Sequence, residues 1–194
     1  MPGKPGGAIQ GTFPSLKLDR PVRYTSTLER DLLFVLEYDI QVLRYQEQPF
    51  SVQAVLDDGV AHTYTPDYAV WTSADRLLVE CKPASQMTDA HTHQQIQIGT
   101  RWSRLHAWSF TVVTDVELRQ GARLANLKLL WRYSRLTISE ADRCDLQQRC
   151  HSGTTLSNLT ETPDTLPTVL ALLFHGHLQT DLSQPLTAQS QVWC

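Results

Sequence analysis

The sequence predicts an α/β (α+β) fold, in which helices flank a mixed sheet, and three observations support this prediction. A capping signal near Ser26 precedes an apolar helical repeat. Segments in which apolar and polar residues alternate then follow, as expected of half-buried strands. A further helical segment finally leads into another short apolar run that is typical of a strand.

The first predicted helix extends from Ser26 to about Asp39. Ser26-Thr27-Leu28-Glu29 fits a capping box, in which the serine and glutamate side chains each accept a hydrogen bond from the other residue's backbone N–H. The preceding residues 1–22 are rich in glycine and proline and show no periodicity. Such a composition predicts a flexible N-terminal arm.

Three strands are predicted over residues 46–56, 60–71 and 76–82, because apolar residues alternate or cluster there. Asp57-Asp58-Gly59 is typical of a hairpin turn between the first two of these strands. Residues 72–75 join the second strand to the third. The remaining elements of this part are a helix over about 88–107, a strand over 110–113 and a helix over 121–132.

The composition changes near Ser139, and the segment that follows predicts three helices and a β-hairpin. The helices cover residues 139–150, 154–161 and 165–176, and the strands cover 177–182 and 189–193. This order is the outline of a winged-helix-like domain. A chain of 194 residues then fits one main domain with a small appendage. The predicted boundaries are 1–22 for the arm, 23–138 for the main domain and 139–194 for the winged-helix-like domain.

Charge is unevenly distributed along the chain, although the net charge is only −3. That small net charge excludes a uniformly basic, DNA-coating protein. Residues 1–138 carry 15 Lys and Arg against 14 Asp and Glu, whereas residues 139–194 carry 2 against 6. We therefore expect the acidic C-terminal segment to contact a protein partner or the main domain rather than DNA. The candidate DNA-binding residues, which could equally form a solvated helix face, are Arg101, Arg104, Arg119, Arg123, Lys128 and Arg132.

A pair of carboxylates is predicted at one end of the second hairpin. If the loop over residues 72–75 is symmetric, Trp71 pairs with Arg76, and Asp67 then lies opposite Glu80. Two like charges in that position repel each other, so a divalent cation between them would make the arrangement tolerable. A slip of one residue would instead place the two carboxylates on opposite faces of the sheet.

Lys82 lies on the same face of its predicted strand as Glu80, because side chains alternate with a period of two. The carboxylates and this ammonium group therefore meet at one end of a largely apolar sheet, either as a functional site or as a surface ladder or salt bridge. Glu29 falls within the apolar arc of the first helix. It either completes that site or serves only the capping box.

Pro66-Asp67 followed by Glu80-Cys81-Lys82 forms a PD-(D/E)xK pattern, and its place among the predicted elements resembles the restriction-endonuclease-like core. More closely, residues 24–135 resemble the TnsA family of transposon-end endonucleases. The resemblance is carried by Ser26-Thr27-Leu28-Glu29, Tyr45-Gln46-Glu47-Gln48-Pro49, Tyr64-Thr65-Pro66-Asp67-Tyr68, Val79-Glu80-Cys81-Lys82, Phe110-Thr111-Val112-Val113-Thr114-Asp115 and Ala125-Asn126-Leu127-Lys128. It implies a PD-(D/E)xK nuclease domain over residues 23–138 and a winged-helix domain after it.

The resemblance implies a metal-dependent DNA endonuclease with catalytic Glu29, Asp67, Glu80 and Lys82. Mg²⁺, or Mn²⁺ in its place, would be held by Asp67, Glu80, the backbone carbonyl of Cys81 and Glu29. The substrate would be double-stranded DNA at transposon ends, cut at the 5′ ends of the element during cut-and-paste transposition. The implied partners are a DDE-type transposase subunit and an AAA+ regulator, in the bacterial cytoplasm and associated with the nucleoid.

Two other functions stay open at this point. A stand-alone restriction- or resolvase-type nuclease would use the same fold and the same residues. A non-catalytic module of a DNA-processing complex would have no need of the intact set of four candidate catalytic side chains. The sequence has no apolar run of about 18 residues and no apolar signal segment, which predicts a cytoplasmic protein without membrane contact.

Overall fold

The computed structural model describes residues 9–160, 162 and 164–194, and the chain forms two compact units within it. The first unit ends at Leu118 and the second begins at Arg119. Within the described ranges, no helix is both long and apolar enough to cross a membrane. Each unit has its own buried apolar residues and is described separately below.

The first unit opens with an antiparallel hairpin of two strands, β1 (Gly11–Ser15) and β2 (Arg20–Tyr24). Phe13 and Val22 face each other across this hairpin, and both are buried. The prediction of a flexible arm over residues 1–22 is therefore wrong for residues 11–22, because their apolar side chains find a packing surface. Residues 1–8 of that predicted arm lie outside the described residues.

A helix and five strands follow the hairpin, and most of the predicted elements are confirmed with revised bounds. They are α1 (Thr27–Tyr38), β3 (Val42–Glu47), β4 (Val52–Val55), β5 (Ala61–Tyr64), β6 (Tyr68–Thr72) and β7 (Arg76–Cys81). The strands predicted over 46–56 and 60–71 are each divided in two. The segment between the two resulting strands contains a proline in each case, Pro49 or Pro66, and proline lacks the N–H that an interior strand position needs.

A crossover helix completes the central sheet. After a short 3₁₀ turn (Ala84–Gln86), α2 (Ala90–Leu105) leads into β8 (Ser109–Val113), and α3 (Asp115–Leu118) ends the unit. The sheet order is β3-β6-β7-β8, with the first three strands antiparallel and β8 parallel to β7. The predicted mixed sheet flanked by helices is therefore confirmed, and it is consistent with a restriction-endonuclease-like core.

The two faces of this sheet are covered by different helices. On one face, the buried side chain of Tyr45 donates a hydrogen bond to Glu37 of α1. On the other face, Ala69 and Leu78 pack with Ile98 of α2 in one buried cluster. Both faces are therefore protected from water, as expected of a sheet that contains a parallel pair.

Helix α2 approaches the sheet closely at Gly99. A Cβ atom added at Gly99 would lie 2.3 Å from a ring carbon of Phe110 and 2.6 Å from the hydroxyl oxygen of Tyr64. Real Cβ atoms do not approach other heavy atoms so closely, so the neighbouring rings would have to move. The absence of a side chain at this position therefore permits the observed packing of helix on sheet.

Replacing Gly99 with alanine is expected to lower the free energy of unfolding by about 1–3 kcal/mol, because overpacking outweighs the better helix propensity of alanine. Urea denaturation measures this change through the midpoint at constant slope. The matched control is Thr100→Ala, since Thr100 is exposed in the same helix and should change stability by less than about 0.5 kcal/mol. A Gly99→Ala variant as stable as the wild type would contradict the close packing described here.

The second unit contains four helices and a two-stranded antiparallel sheet among its described residues. They are α4 (Arg123–Trp131), α5 (Glu140–Arg149), α6 (Leu156–Leu159), α7 (Thr165–Phe174), β9 (Gln179–Thr180) and β10 (Val192–Trp193). The helices and strands predicted after Ser139 are present but shorter, and residue 161 of one predicted helix lies outside the described residues. The winged-helix-like assignment stays a prediction.

The division between the units lies earlier in the chain than the predicted boundary at 138/139. Helix α4 belongs to the second unit, where it packs against α7. The buried amide group of Asn126 donates to the backbone carbonyls of Leu182 and Gln184, at 2.9 and 2.7 Å. These long-range contacts are invisible in the local pattern of the helix, which explains why the composition change at Ser139 suggested a later boundary.

Candidate active site

The hairpin of β6 and β7 has the register that the sequence predicts. Trp71 pairs with Arg76, and Tyr68 pairs with Val79 at the other end of the ladder. One position further along, the carboxylate of Asp67 accepts a hydrogen bond from the backbone N–H of Cys81 at 2.7 Å. Asp67 is thereby fixed at the end of the hairpin, beside the strand that carries the second carboxylate.

Glu80 is the most buried carboxylate of this site, with a relative exposure of 2%. One of its oxygens lies 2.8 Å from Nζ of Lys82. The other oxygen, Oε2, is buried and has no hydrogen-bond partner among the described residues. Burial raises the pKa of Glu80, and the neighbouring ammonium group of Lys82 opposes that rise.

The pKa of Asp67 is raised as well. Burial, followed by the negative charge of Glu80, raises the pKa of Asp67 to about 7, although the hydrogen bond from Cys81 opposes the rise. A carboxylate whose proton affinity is raised by a second carboxylate beside it forms an arrangement that a divalent cation would relieve.

The donor set fits a hard cation. Magnesium prefers carboxylate and carbonyl oxygens and retains several waters, so two protein carboxylates are sufficient anchors. The unpartnered Oε2 atom of Glu80 supplies such an oxygen. Across the described ranges, no group of three His, Cys, Asp or Glu side chains is arranged to hold a metal ion, so the set is the carboxylate pair rather than a larger cluster.

Glu29 is buried near this pair, but its oxygens already have partners. They accept hydrogen bonds from the backbone N–H and the hydroxyl of Thr25, each at 2.8 Å. Ser26 accepts from the Glu29 backbone as a capping box requires, at 3.0 Å. The negative charge of Glu29 nevertheless raises the pKa of both Asp67 and Glu80, which places it close to the site.

The same stretch of chain matches a known protein family. Residues 39–115 match the model of the TnsA-like endonuclease N-terminal domain. This segment is similar to a TnsA-like endonuclease domain. The match includes Asp67, Glu80 and Lys82, and it begins after Glu29. It indicates a nuclease related to the endonuclease subunits of transposases. Among curated proteins, no significant match to the chain is found.

The predicted DNA-binding residues do not lie in one compact unit. Arg101 and Arg104 belong to α2 of the TnsA-like domain, whereas Arg119, Arg123, Lys128 and Arg132 belong to the second unit. The Arg101 guanidinium lies 2.5 Å from the Asp57 carboxylate and donates to the Val55 carbonyl at 2.7 Å. Arg101 therefore stabilises the turn between β4 and β5 through these two contacts. Contact with DNA stays a prediction for all six residues.

Two tyrosines of the TnsA-like domain, Tyr64 and Tyr68, flank Asp67 in the motif that carries the family resemblance. The hydroxyl groups of Tyr64 and Tyr68 are buried and have no hydrogen-bond partner in the part of the chain that the structure describes. Burial and nearby carboxylates raise the pKa of both hydroxyls, so both keep their protons. Tyr64 stands three residues before Asp67 and Tyr68 one residue after it, and this proximity is the sequence signal that could have pointed to the site. The orientation of the two side chains, however, depends on packing against elements that are distant in sequence.

Proposed function

We propose that this chain is the endonuclease subunit of a heteromeric DNA transposase. It hydrolyses, with Mg²⁺, a phosphodiester bond at the 5′ ends of the transposon during cut-and-paste transposition. The observation that carries the proposal is the pair of half-buried Asp67 and buried Glu80 beside Lys82, within a segment that matches the TnsA-like endonuclease domain. Double-stranded transposon ends, a DDE-type transposase and an AAA+ regulator are its proposed partners.

The carboxylate pair supplies the proposed metal site. Asp67 and Glu80, together with the backbone carbonyl of Cys81, would hold Mg²⁺, with Glu29 close to the site. When bound, the cation supplies Lewis-acid activation of a phosphate and a lowered pKa of water. The protein's own contribution is to hold these oxygens in a buried place, where electrostatic interactions are stronger than in water.

Lys82 provides the positive charge that phosphodiester hydrolysis requires from the protein. Its ammonium group lies at the Glu80 carboxylate, and its side chain is 18% exposed. From there it would orient the attacking water and neutralise the charge that develops on the phosphate oxygens. The expected products carry a 5′-phosphate and a 3′-hydroxyl.

The decisive experiment mixes end-labelled transposon DNA with the protein, in the presence of Mg²⁺, with and without its cognate DDE-type transposase. We expect nicking at the 5′ ends only when both proteins and Mg²⁺ are present, and none when EDTA replaces Mg²⁺. Robust cleavage by the protein alone would favour a stand-alone restriction- or resolvase-type nuclease. Absence of cleavage with both proteins and Mg²⁺ present would refute the proposed nuclease function.

A further inference from the structure

Tyr64 is a buried residue of the TnsA-like domain that the proposed chemistry leaves without a role. Its side chain is 9% exposed and packs with Leu78 and Ile98 between the sheet and α2. Its hydroxyl group is buried without a hydrogen-bond partner in the described ranges. A buried hydroxyl without a partner lowers the stability of the folded protein, so its retention calls for a reason other than stability.

The hydroxyl of Tyr64 lies beside α2 at Gly99. The position where Gly99 would carry a Cβ lies only 2.6 Å from the hydroxyl oxygen of Tyr64. The helix therefore leaves space for this oxygen because the residue there is glycine.

The hydroxyl lies on the same side of the sheet as the carboxylates. Glu80 shares a face of β7 with Leu78, because side chains alternate along a strand. Asp67 stands two residues before Ala69, which is paired with Leu78 and belongs to the same buried cluster as Tyr64. Burial, followed by the negative charges of Glu80 and Asp67, raises the pKa of Tyr64, and the contribution of the two carboxylates agrees with this placement.

Among the buried atoms without a hydrogen-bond partner, which also include Oε1 of Gln95 and Oγ of Ser103 in α2, the Tyr64 hydroxyl and Oε2 of Glu80 are complementary. Tyr64 keeps its proton and can donate a hydrogen bond, and Oε2 of Glu80 can only accept one while ionised. Neither atom bonds to the other or to any described residue. A water molecule can accept a hydrogen bond from the hydroxyl and donate one to the carboxylate at the same time, so it satisfies both groups.

We propose that Tyr64 is a positioning residue of the nuclease site, whose hydroxyl donates a hydrogen bond to a water molecule that Glu80 also binds. A bound divalent cation would retain several waters at the carboxylates, and Tyr64 would help to orient one of them through this hydrogen bond. The inference rests on the proposed nuclease function. It concerns only how the site orders water on the side of the sheet that α2 covers.

Tyr64→Phe tests this inference, because it removes only the hydroxyl. The first measurement is the dissociation constant of Mn²⁺ for the full chain, followed by electron paramagnetic resonance of the unbound ion. The second is the rate of nicking with the transposase present. We expect Mn²⁺ affinity or the nicking rate to fall by about 10–100-fold, as for other residues that orient metal-bound groups. We expect the melting temperature of the metal-free variant to stay equal to the wild-type value or to rise.

Tyr45→Phe is the matched control. Tyr45 is also buried in the sheet, but its hydroxyl donates to Glu37 at 2.6 Å on the face that α1 covers. Its loss should lower the melting temperature and leave Mn²⁺ affinity and nicking unchanged. The two substitutions therefore have opposite expected signatures, which separates a positioning role from a structural one.

Either of two results would overturn the inference while the proposed function stands. One is a Tyr64→Phe variant with wild-type Mn²⁺ affinity and a wild-type nicking rate. The other is a variant that loses activity only in proportion to a lowered melting temperature. If the wild-type protein itself neither binds Mn²⁺ nor nicks DNA, the proposed function fails and the inference fails with it.

Discussion

Asp67→Asn is expected to abolish strand cleavage and, in the absence of metal, to make the protein more stable at pH 8. The loss of cleavage, by about 10³-fold or more, is expected because the amide cannot replace an anionic ligand in the carboxylate pair. The gain in stability follows from the buried position of Asp67 beside Glu80, where the negative charge is unfavourable without a cation.

The pH dependence of this gain has a definite sign. Folded protein keeps the Asp67 proton up to about pH 7, whereas an unfolded chain releases it near its ordinary value of 3.8. The folded state therefore binds more protons between these values, and wild-type stability falls as pH rises through that window. Asparagine carries no charge, so the stability difference is largest at pH 8, at about 1–4 kcal/mol, and vanishes below about pH 4.

Urea denaturation in EDTA at pH 5 and pH 8 measures this effect, and nicking assays measure the loss of activity. Asp75→Asn is the matched control, because Asp75 lies in the turn at the other end of the same hairpin. Hydrogen bonds from Ser109 and from the backbone of Arg76 lower the pKa of Asp75, so its substitution should reduce stability at pH 8. An Asp67→Asn variant that nicks DNA normally, or that is less stable than wild type at pH 8, would refute this account.

Glu37→Ala is expected to lower the free energy of unfolding by about 3–5 kcal/mol. Glu37 is buried, with 4% exposure, and its carboxylate links several segments of the first unit through hydrogen bonds. It accepts hydrogen bonds from the Ser15 hydroxyl, the backbone N–H groups of Leu16 and Lys17, and the Tyr45 hydroxyl, at 2.5, 3.1, 3.3 and 2.6 Å. Removal of the carboxylate leaves several donors unsatisfied in the interior, which accounts for the size of the loss.

The midpoint of urea denaturation measures this loss, and Glu47→Ala provides the comparison. Glu47 also holds the N-terminal hairpin, through an ion pair with Arg20 at 2.8 Å, but Arg20 is 43% exposed. Solvent-exposed ion pairs contribute about 0–1 kcal/mol, so Glu47→Ala should cost far less. Equal losses of unfolding free energy in the two variants would show that the hydrogen bonds of Glu37 do not have the stabilising effect expected here.

The carboxylate pair was predictable because the information that positions it is local. A short turn between alternating strands sets the Trp71–Arg76 pairing, and counting along the strands then places Asp67 near Glu80. The strands and α2 were predictable for the same reason, since each has its own periodicity, whereas the mixed sheet followed from the resemblance to the restriction-endonuclease-like core. The family match over residues 39–115 agrees with the resemblance seen in the motif.

Features that depend on distant contacts could not be predicted. Composition suggested that the first residues are flexible, because nothing local shows that Glu37 binds the backbone and hydroxyl groups of the β1–β2 turn. The placement of Tyr64 depends on Gly99, which is far away in sequence. The partners of Glu29 were partly predictable, since the capping serine was recognised, but the bonds from Thr25 were not.

The segment that carries the family match is smaller than the compact unit that contains it. Helix α1 lies before residue 39 and is joined to the sheet through Glu37 and Tyr45. Without it, a row of aromatic and aliphatic side chains that includes Tyr45, Tyr68 and Val79 would lose its cover on one face. A broad, water-exposed apolar face promotes association between chains. The N-terminal hairpin and α1 thus belong to the packing of this domain, although they precede the segment that carries the family match.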